Sequence, residues 1–152
     1  MSHIHELIDF VVNIYIVYKD KVLLIHHKKL NKWLPIGGHI ELDEDPEKTL
    51  FREVKEECGL EIEISGSKPS FHSEGTKFLY SPKFLDIHKI SDTHKHIALN
   101  YFAQTKSDNI VLNKKEHNEI RWFSRGELDS PEFGIEPAIK FYAKEALSSF
   151  SQ

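Results

Sequence analysis

The chain has 152 residues, 39% of them hydrophobic and 29% charged, which suits one globular domain over 1–152 and leaves little room for a second. Lysine and arginine total 20 against 24 aspartates and glutamates, a net charge of −4, so a protein that grips a nucleic-acid polymer by bulk charge is excluded. A single cysteine, Cys58, excludes an internal disulfide and a multi-cysteine zinc cage, and a reducing, cytoplasmic setting is expected.

The first ten residues carry Glu6 and Asp9 and no basic region, so they do not read as a secretory signal. Ile8 to Tyr18 is the most apolar stretch, but it is short and interrupted by Asp9 and Asn13, so no membrane span is expected. Apolar residues fall on both alternating faces of this stretch, which predicts a strand in mid-sheet. Lys19-Asp20-Lys21 turns the chain, and Val22 to Ile25 returns as the second strand of a hairpin. A basic, polar loop is expected over His26 to Lys32. Trp33-Leu34-Pro35-Ile36-Gly37-Gly38 follows, with two glycines that permit positive φ and close backbone approach.

Pro46 to Cys58 is the strongest helix signal. Asp45 can cap it, Pro46 suits its first position, and Gly59 can end it in a left-handed conformation. Leu50, Phe51, Val54 and Cys58 are its expected buried stripe, with Cys58 as a small core residue. Further strands are predicted over Leu60 to Ile64, Phe84 to Ile90, Ile97 to Thr105 and Ile120 to Phe123, with Ser65 to Lys83 as loop or edge strand. Glu136-Pro137 opens a second helix, whose residues Ile139, Tyr142, Ala143, Ala146 and Phe150 recur at helical spacing. Strands around two amphipathic helices give an α/β or α+β domain with a mixed sheet.

Glu53, Glu56 and Glu57 lie on one arc of the first helix. Like charges three and four residues apart destabilise a helix by roughly 0.2–0.5 kcal/mol per pair. The arc borders the apolar stripe, so a hard divalent cation such as Mg²⁺ or Mn²⁺ would account for it, with a solvated helix face as the alternative. The surrounding spacing bears on that choice. Five residues separate Gly38 from Glu44, and seven separate Glu44 from Arg52-Glu53. Val54, Lys55, Glu56-Glu57, Cys58, Gly59 and Leu60 then follow.

This run resembles the Nudix box of the Nudix hydrolase superfamily, G-x5-E-x7-R-E-U-x-E-E-x-G-U with U aliphatic, and matches it at every specified position. The approach segment Trp33 to Gly38 and the later Glu119 to Ser124, ahead of Glu127-Leu128, also look like members of that MutT-like group. The resemblance implies an α/β/α sandwich with a mixed β-sheet flanked by helices. It implies a metal-dependent pyrophosphohydrolase that cuts a phosphoanhydride bond in a nucleoside diphosphate linked to another group. A nucleoside triphosphate or nucleotide sugar is the expected small-molecule substrate. A nucleotide-sensing domain that binds without cutting is the alternative.

By the same resemblance, Glu53, Glu56 and Glu57 are metal ligands for Mg²⁺, with Mn²⁺ as a substitute, and the carbonyl of Gly37 or Gly38 is a further ligand. Gly38 is placed where a loop folds tightly between strand and helix. Glu44 and Arg52 form an ion pair holding that loop, and Arg52 can orient Glu56 four residues on. Glu53 within the box, or Glu116 or Glu119 from a later polar loop, are the candidates for the general base or for touching substrate. His26 and Lys28, after the second strand, stand where some MutT-type relatives carry phosphate-binding basic residues. Trp33 or Phe78 could stack on a base, with buried packing the alternative. His94 and His96, two apart at a strand start, share a face; zinc would need a third ligand, and none is evident. Nothing in the sequence specifies an oligomeric state.

Overall fold

The computed structural model describes residues 7–111, 115 and 117–151; Glu116 lies outside them. Among the described residues, eight strands form one mixed sheet. β1 (Ile8–Tyr18) pairs in parallel with β7 (His94–Gln104) along nearly its whole length. The opposite edge of β1 is shared by two antiparallel partners, β4 (Ile36–His39) at one end and β2 (Lys21–His27) at the other. β1 is thus a central strand, and it is apolar on both faces because each face is covered by a core. β3 (Lys32–Leu34) and β8 (His117–Ser124) pair with β2, while β5 (Glu63–Ile64) and β6 (Phe84–Ser91) pair with β7.

α1 (Pro46–Glu57) covers one face of the sheet and α3 (Pro137–Phe150) the other, with a short α2 (Arg125–Leu128) after β8. The first core joins Val12, Ile14, Ile16, Leu23 and Ile25 of the sheet to Leu50 and Val54 of α1 and to Cys58, its C-cap. The second joins Tyr15, Val17, Val22, Leu24, Phe102 and Phe123 to Ile139, Ala143 and Ala146 of α3. Odd and even residues of β1 therefore serve different helices, as strand alternation requires. Asp45 caps α1 by accepting from the Lys48 N–H, and Gly59 leaves the helix at φ +66°.

Several expectations are corrected. Phe51 is 48% exposed, because the buried arc of α1 runs through Glu47, Leu50, Val54 and Glu57. Two glutamates thus lie inside the arc and a phenylalanine outside it. Glu47 tolerates its position beside Lys68, 2.7 Å away. His26 and His27 belong to β2 rather than to a loop, and the predicted strand over 60–64 keeps its pairing only at Glu63–Ile64. Glu119 stands in β8, not in a loop. Gly37 and Gly38 are strand residues of β4, and neither has positive φ. Close approach explains them instead: a Cβ on Gly37 would lie 2.1 Å from the Val12 carbonyl oxygen.

Gly37→Ala must push β4 away from β1. Overpacking of this kind costs about 1–3 kcal/mol, which lowers Tm by roughly 3–10 °C for a chain of this size. Thermal unfolding followed by circular dichroism measures it, and an unchanged Tm would show that β4 does not lie against β1 in this way.

Candidate active site

Arg52, on the second turn of α1, organises the site. Its Nε donates to Glu44 Oε2 and its Nη2 to Glu44 Oε1, both at 2.8 Å, a bidentate pair. Nη1 donates to Glu53 Oε1 at 2.8 Å and reaches Glu56 Oε2 at 3.5 Å. Nη2 also donates to the His39 carbonyl at 3.3 Å, tying the helix to β4. Glu44 accepts further from Thr49 Oγ1 at 3.1 Å and from the Glu41 N–H at 3.3 Å, so the loop between β4 and α1 closes on one guanidinium. The Arg52 hydrogen bonds hold the Glu44 carboxyl down to about 2.

Gly38 supplies space rather than a turn. A Cβ there would lie 2.1 Å from Glu53 Oε1, so only glycine lets that carboxylate rest against the strand. Burial, and then the neighbouring Glu57 charge, push the Glu53 carboxyl well above the usual carboxylate range despite Arg52. Glu57 is 4% exposed and accepts from the Gly37 N–H at 3.4 Å. Glu56 stands outward, with its side chain 56% exposed. Among the described residues, these three glutamates do not converge into one tight ligand set; Arg52 and β4 hold them in different directions.

His117 was not singled out by the sequence. It is 2% exposed, and its Nε2 lies 3.5 Å from Glu57 Oε1. A register shift between His26 and His27 sets Glu119 opposite His26 but His117 opposite His27, skipping Asn118. This bulge turns His117 onto the α1 side, a change that no local pattern announces. Glu119 alternates with Ile120, which packs on the α1-side core, so its exposed side chain leaves the opposite face. The structure thus separates Glu119 from the box glutamates.

The other expected substrate contacts are distributed. His26 is half-buried, with Nδ1 at 3.1 Å from Asn118 Nδ2, and Lys28 is exposed in the turn after β2. Trp33 is 7% exposed and packs edge-on against Phe123 in the α3-side core, 4.9 Å between centroids, which removes it as a stacking platform. Cys58 is fully buried, and burial pushes its thiol up to about 11, so it is core and not a nucleophile. His94 and His96 do have a third polar neighbour, Asp9 of β1, on the far side of the sheet.

A mixed sheet lies between helices, with an arginine-clamped carboxylate helix against a glycine strand. The profile of the NUDIX domain matches residues 9–144, and the chain belongs to that family of hydrolases acting on phosphorus anhydrides. A NUDIX-family hydrolase from Clostridium perfringens is similar at 35% identity, over 94% of this chain and 98% of that one, with a TM-score of 0.82. A MutT NUDIX hydrolase from Burkholderia pseudomallei shares the fold at 20% identity, over 96% and 100% of the two chains, with a TM-score of 0.66. So does a C. elegans Ap4A hydrolase at 18% identity, over 95% and 96%, with a TM-score of 0.64. No curated protein matches. Among the described residues, no helix is long and apolar enough to cross a membrane.

The Arg52–Glu44 pair has a measurable signature. A depressed carboxyl pKa means that the pair's stabilisation is complete above the ordinary value of 4.5 and is lost as pH falls toward about 2. The Glu44 carboxyl carbon should titrate near 2 by NMR, and Arg52→Ala should return it toward 4.5. An ordinary midpoint in the unmutated protein would show that the clamp is open in solution.

Proposed function

We propose that this protein is a Mg²⁺-dependent pyrophosphohydrolase whose substrate is a nucleoside diphosphate joined to a further group, a nucleoside triphosphate or nucleotide sugar. The observation that carries the reading is the gathering of Glu53 and Glu56 on the Arg52 guanidinium, with the buried Glu57 one turn along the same helix against the Gly37 N–H. The donor set is oxygen only and short of positive charge, which fits Mg²⁺ and accepts Mn²⁺. Glu53, Glu56 and Glu57 would hold the ion, with a carbonyl of Gly37 or Gly38 as a further oxygen. The bound ion would neutralise diphosphate charge and lower the pKa of a water.

The chain's own residues then position and accept. Arg52 fixes the carboxylates, and Gly38 keeps the strand close enough for Glu53 to lie flat on it. Glu53 lies among the box carboxylates beside β4 whereas Glu119 leaves the opposite face of the sheet, so we assign Glu53 rather than Glu119 as proton acceptor. His117 lies behind Glu57, its Nε2 3.5 Å from Oε1. Lys28, exposed in the turn after β2, remains a basic group proposed for substrate phosphates, whereas His26 pairs opposite Glu119 and packs on Trp33, on the face away from the box glutamates. The lone, buried cysteine accords with a cytoplasmic setting.

Release of phosphate, pyrophosphate or nucleotide from nucleoside triphosphates, nucleotide sugars, dinucleoside polyphosphates and ADP-ribose, with and without Mg²⁺, tests this directly. Glu56→Gln and Glu57→Gln should each lower turnover by about 10²–10³-fold, the scale of losing one element of electrostatic stabilisation, with Tm little changed. Unchanged turnover would reject their role. Nucleotide binding without any cleavage would turn the reading toward a sensor.

A further inference from the structure

On the sheet face away from α1, where β1 and β7 begin, several strands bring imidazoles together around one carboxylate. The parallel register sets Asp9 directly opposite His96, and the β6–β7 register sets His88 opposite His96 on the other side. His94 lies two residues before His96 and shares its face. His39 follows Gly38, so when Gly38 faces Glu53 on the α1 side, His39 faces the other way. The His96 ring is 4.9 Å from that of His39, 5.2 Å from that of His94 and 5.7 Å from that of His88.

The distances are those of a ligand shell. Asp9 Oδ2 lies 3.0 Å from His94 Nε2 and 3.6 Å from His39 Nε2. Ligand atoms about 2.0–2.1 Å from a tetrahedral zinc ion are themselves about 3.3 Å apart, between those two values. The ligating atoms of Asp9, His94 and His96 all lie within 4.8 Å of one another. Among the described residues this is the group of histidine, cysteine and carboxylate side chains that meets that spacing. Side-chain exposures of 43% for Asp9 and 27% for His94 leave the group open to ions from solvent.

A supporting layer lies behind it. Asp86 Oδ1 is 2.7 Å from His88 Nδ1, and Asp86 Oδ2 accepts from Asn100 Nδ2 at 3.1 Å and from the Tyr142 hydroxyl at 2.7 Å. Asn100 is fully buried and also accepts from Asn13 Nδ2 at 3.2 Å. Asp86 thereby fixes the ring of His88, which packs 5.7 Å from that of His96 at the cluster's edge.

We propose that Asp9, His94 and His96, with His39 as fourth ligand, form a binding site for a divalent transition metal of the zinc type. Imidazole nitrogens favour such ions, whereas Mg²⁺ favours oxygen, so this site is chemically distinct from the carboxylate cluster on α1. It does not depend on the hydrolytic reading. Its direct consequence is structural: an ion here staples the start of β1 to β7 and to the end of β4.

The test is calorimetric titration of the full chain, first stripped with chelator, with ZnCl₂ in excess MgCl₂. Wild type should take up one equivalent of zinc with a rise in Tm. Asp9→Asn and His94→Ala should each weaken zinc binding by at least about tenfold and abolish the Tm rise. His72→Ala, in an exposed loop outside the cluster, should leave both unchanged. Imidazole NMR signals of His94 and His96 should shift on zinc addition. Absence of zinc binding to wild type, or binding that survives both Asp9→Asn and His94→Ala, overturns the proposal. Metal-free Tm values identify a variant that fails to fold, in which case the near-isosteric Asp9→Asn decides.

Discussion

One guanidinium group holds the α1 side of this protein together. Arg52 spends its planar fork on both oxygens of Glu44, on Glu53, on Glu56 and on the His39 carbonyl. Its contribution is positional more than energetic, because the side chain is 31% exposed and solvent screens the pairs. What it fixes is the entry of the chain into α1 and the separation of carboxylates that would otherwise repel. A lysine could not substitute, since a single ammonium cannot satisfy a bidentate carboxylate and three other acceptors at fixed angles.

The clamp does not neutralise what it holds. Glu44, Glu53 and Glu56 share one arginine, and Glu57 is turned into the core beside His117 and the Gly37 N–H. Glu53 answers the imbalance by retaining a proton more readily than an ordinary carboxyl group. Strain of this kind is uneconomical for stability and is characteristic of sites poised for a ligand that supplies the missing charge. The glycines of β4 serve the same end. By lacking side chains they let charged groups approach a strand that would normally exclude them.

How much of this is legible in the sequence depends on how local the cause is. The cap at Asp45, the proline start and the glycine exit of α1 act within a few residues, and the sequence shows them. The alternation of β1 is equally local, and it implies a central strand. Phe51 misleads because hydrophobicity alone assigns the buried arc, whereas packing against β4 and Lys68 admits Glu47 and Glu57 instead. Trp33 is lost to the core because β3 folds back on β2 and presents it to Phe123, a contact 90 residues away in sequence from Trp33. His117 depends on a bulge, and Asp9 on the register of a parallel pairing between distant segments. Neither leaves a mark in the residues nearby.

The same alternation that hides these partners also keeps two chemistries apart. Gly38 and His39 are consecutive residues of β4, yet the first opens space for a carboxylate on the α1 side while the second reaches Asp9 on the other. The box glutamates therefore collect on one face, and His39, His94 and His96 gather around Asp9 on the opposite one. The two proposed sites, one of oxygen donors suited to a hard ion and one of imidazoles suited to a borderline ion, would thus meet different surfaces of a single strand. The His39 backbone is nonetheless bonded to Arg52, so any movement of β4 caused by a ligand at His39 acts directly on the clamp that orders the carboxylates. The two faces are segregated in chemistry and joined in mechanics, and β4, only four residues long, is the element through which both properties pass.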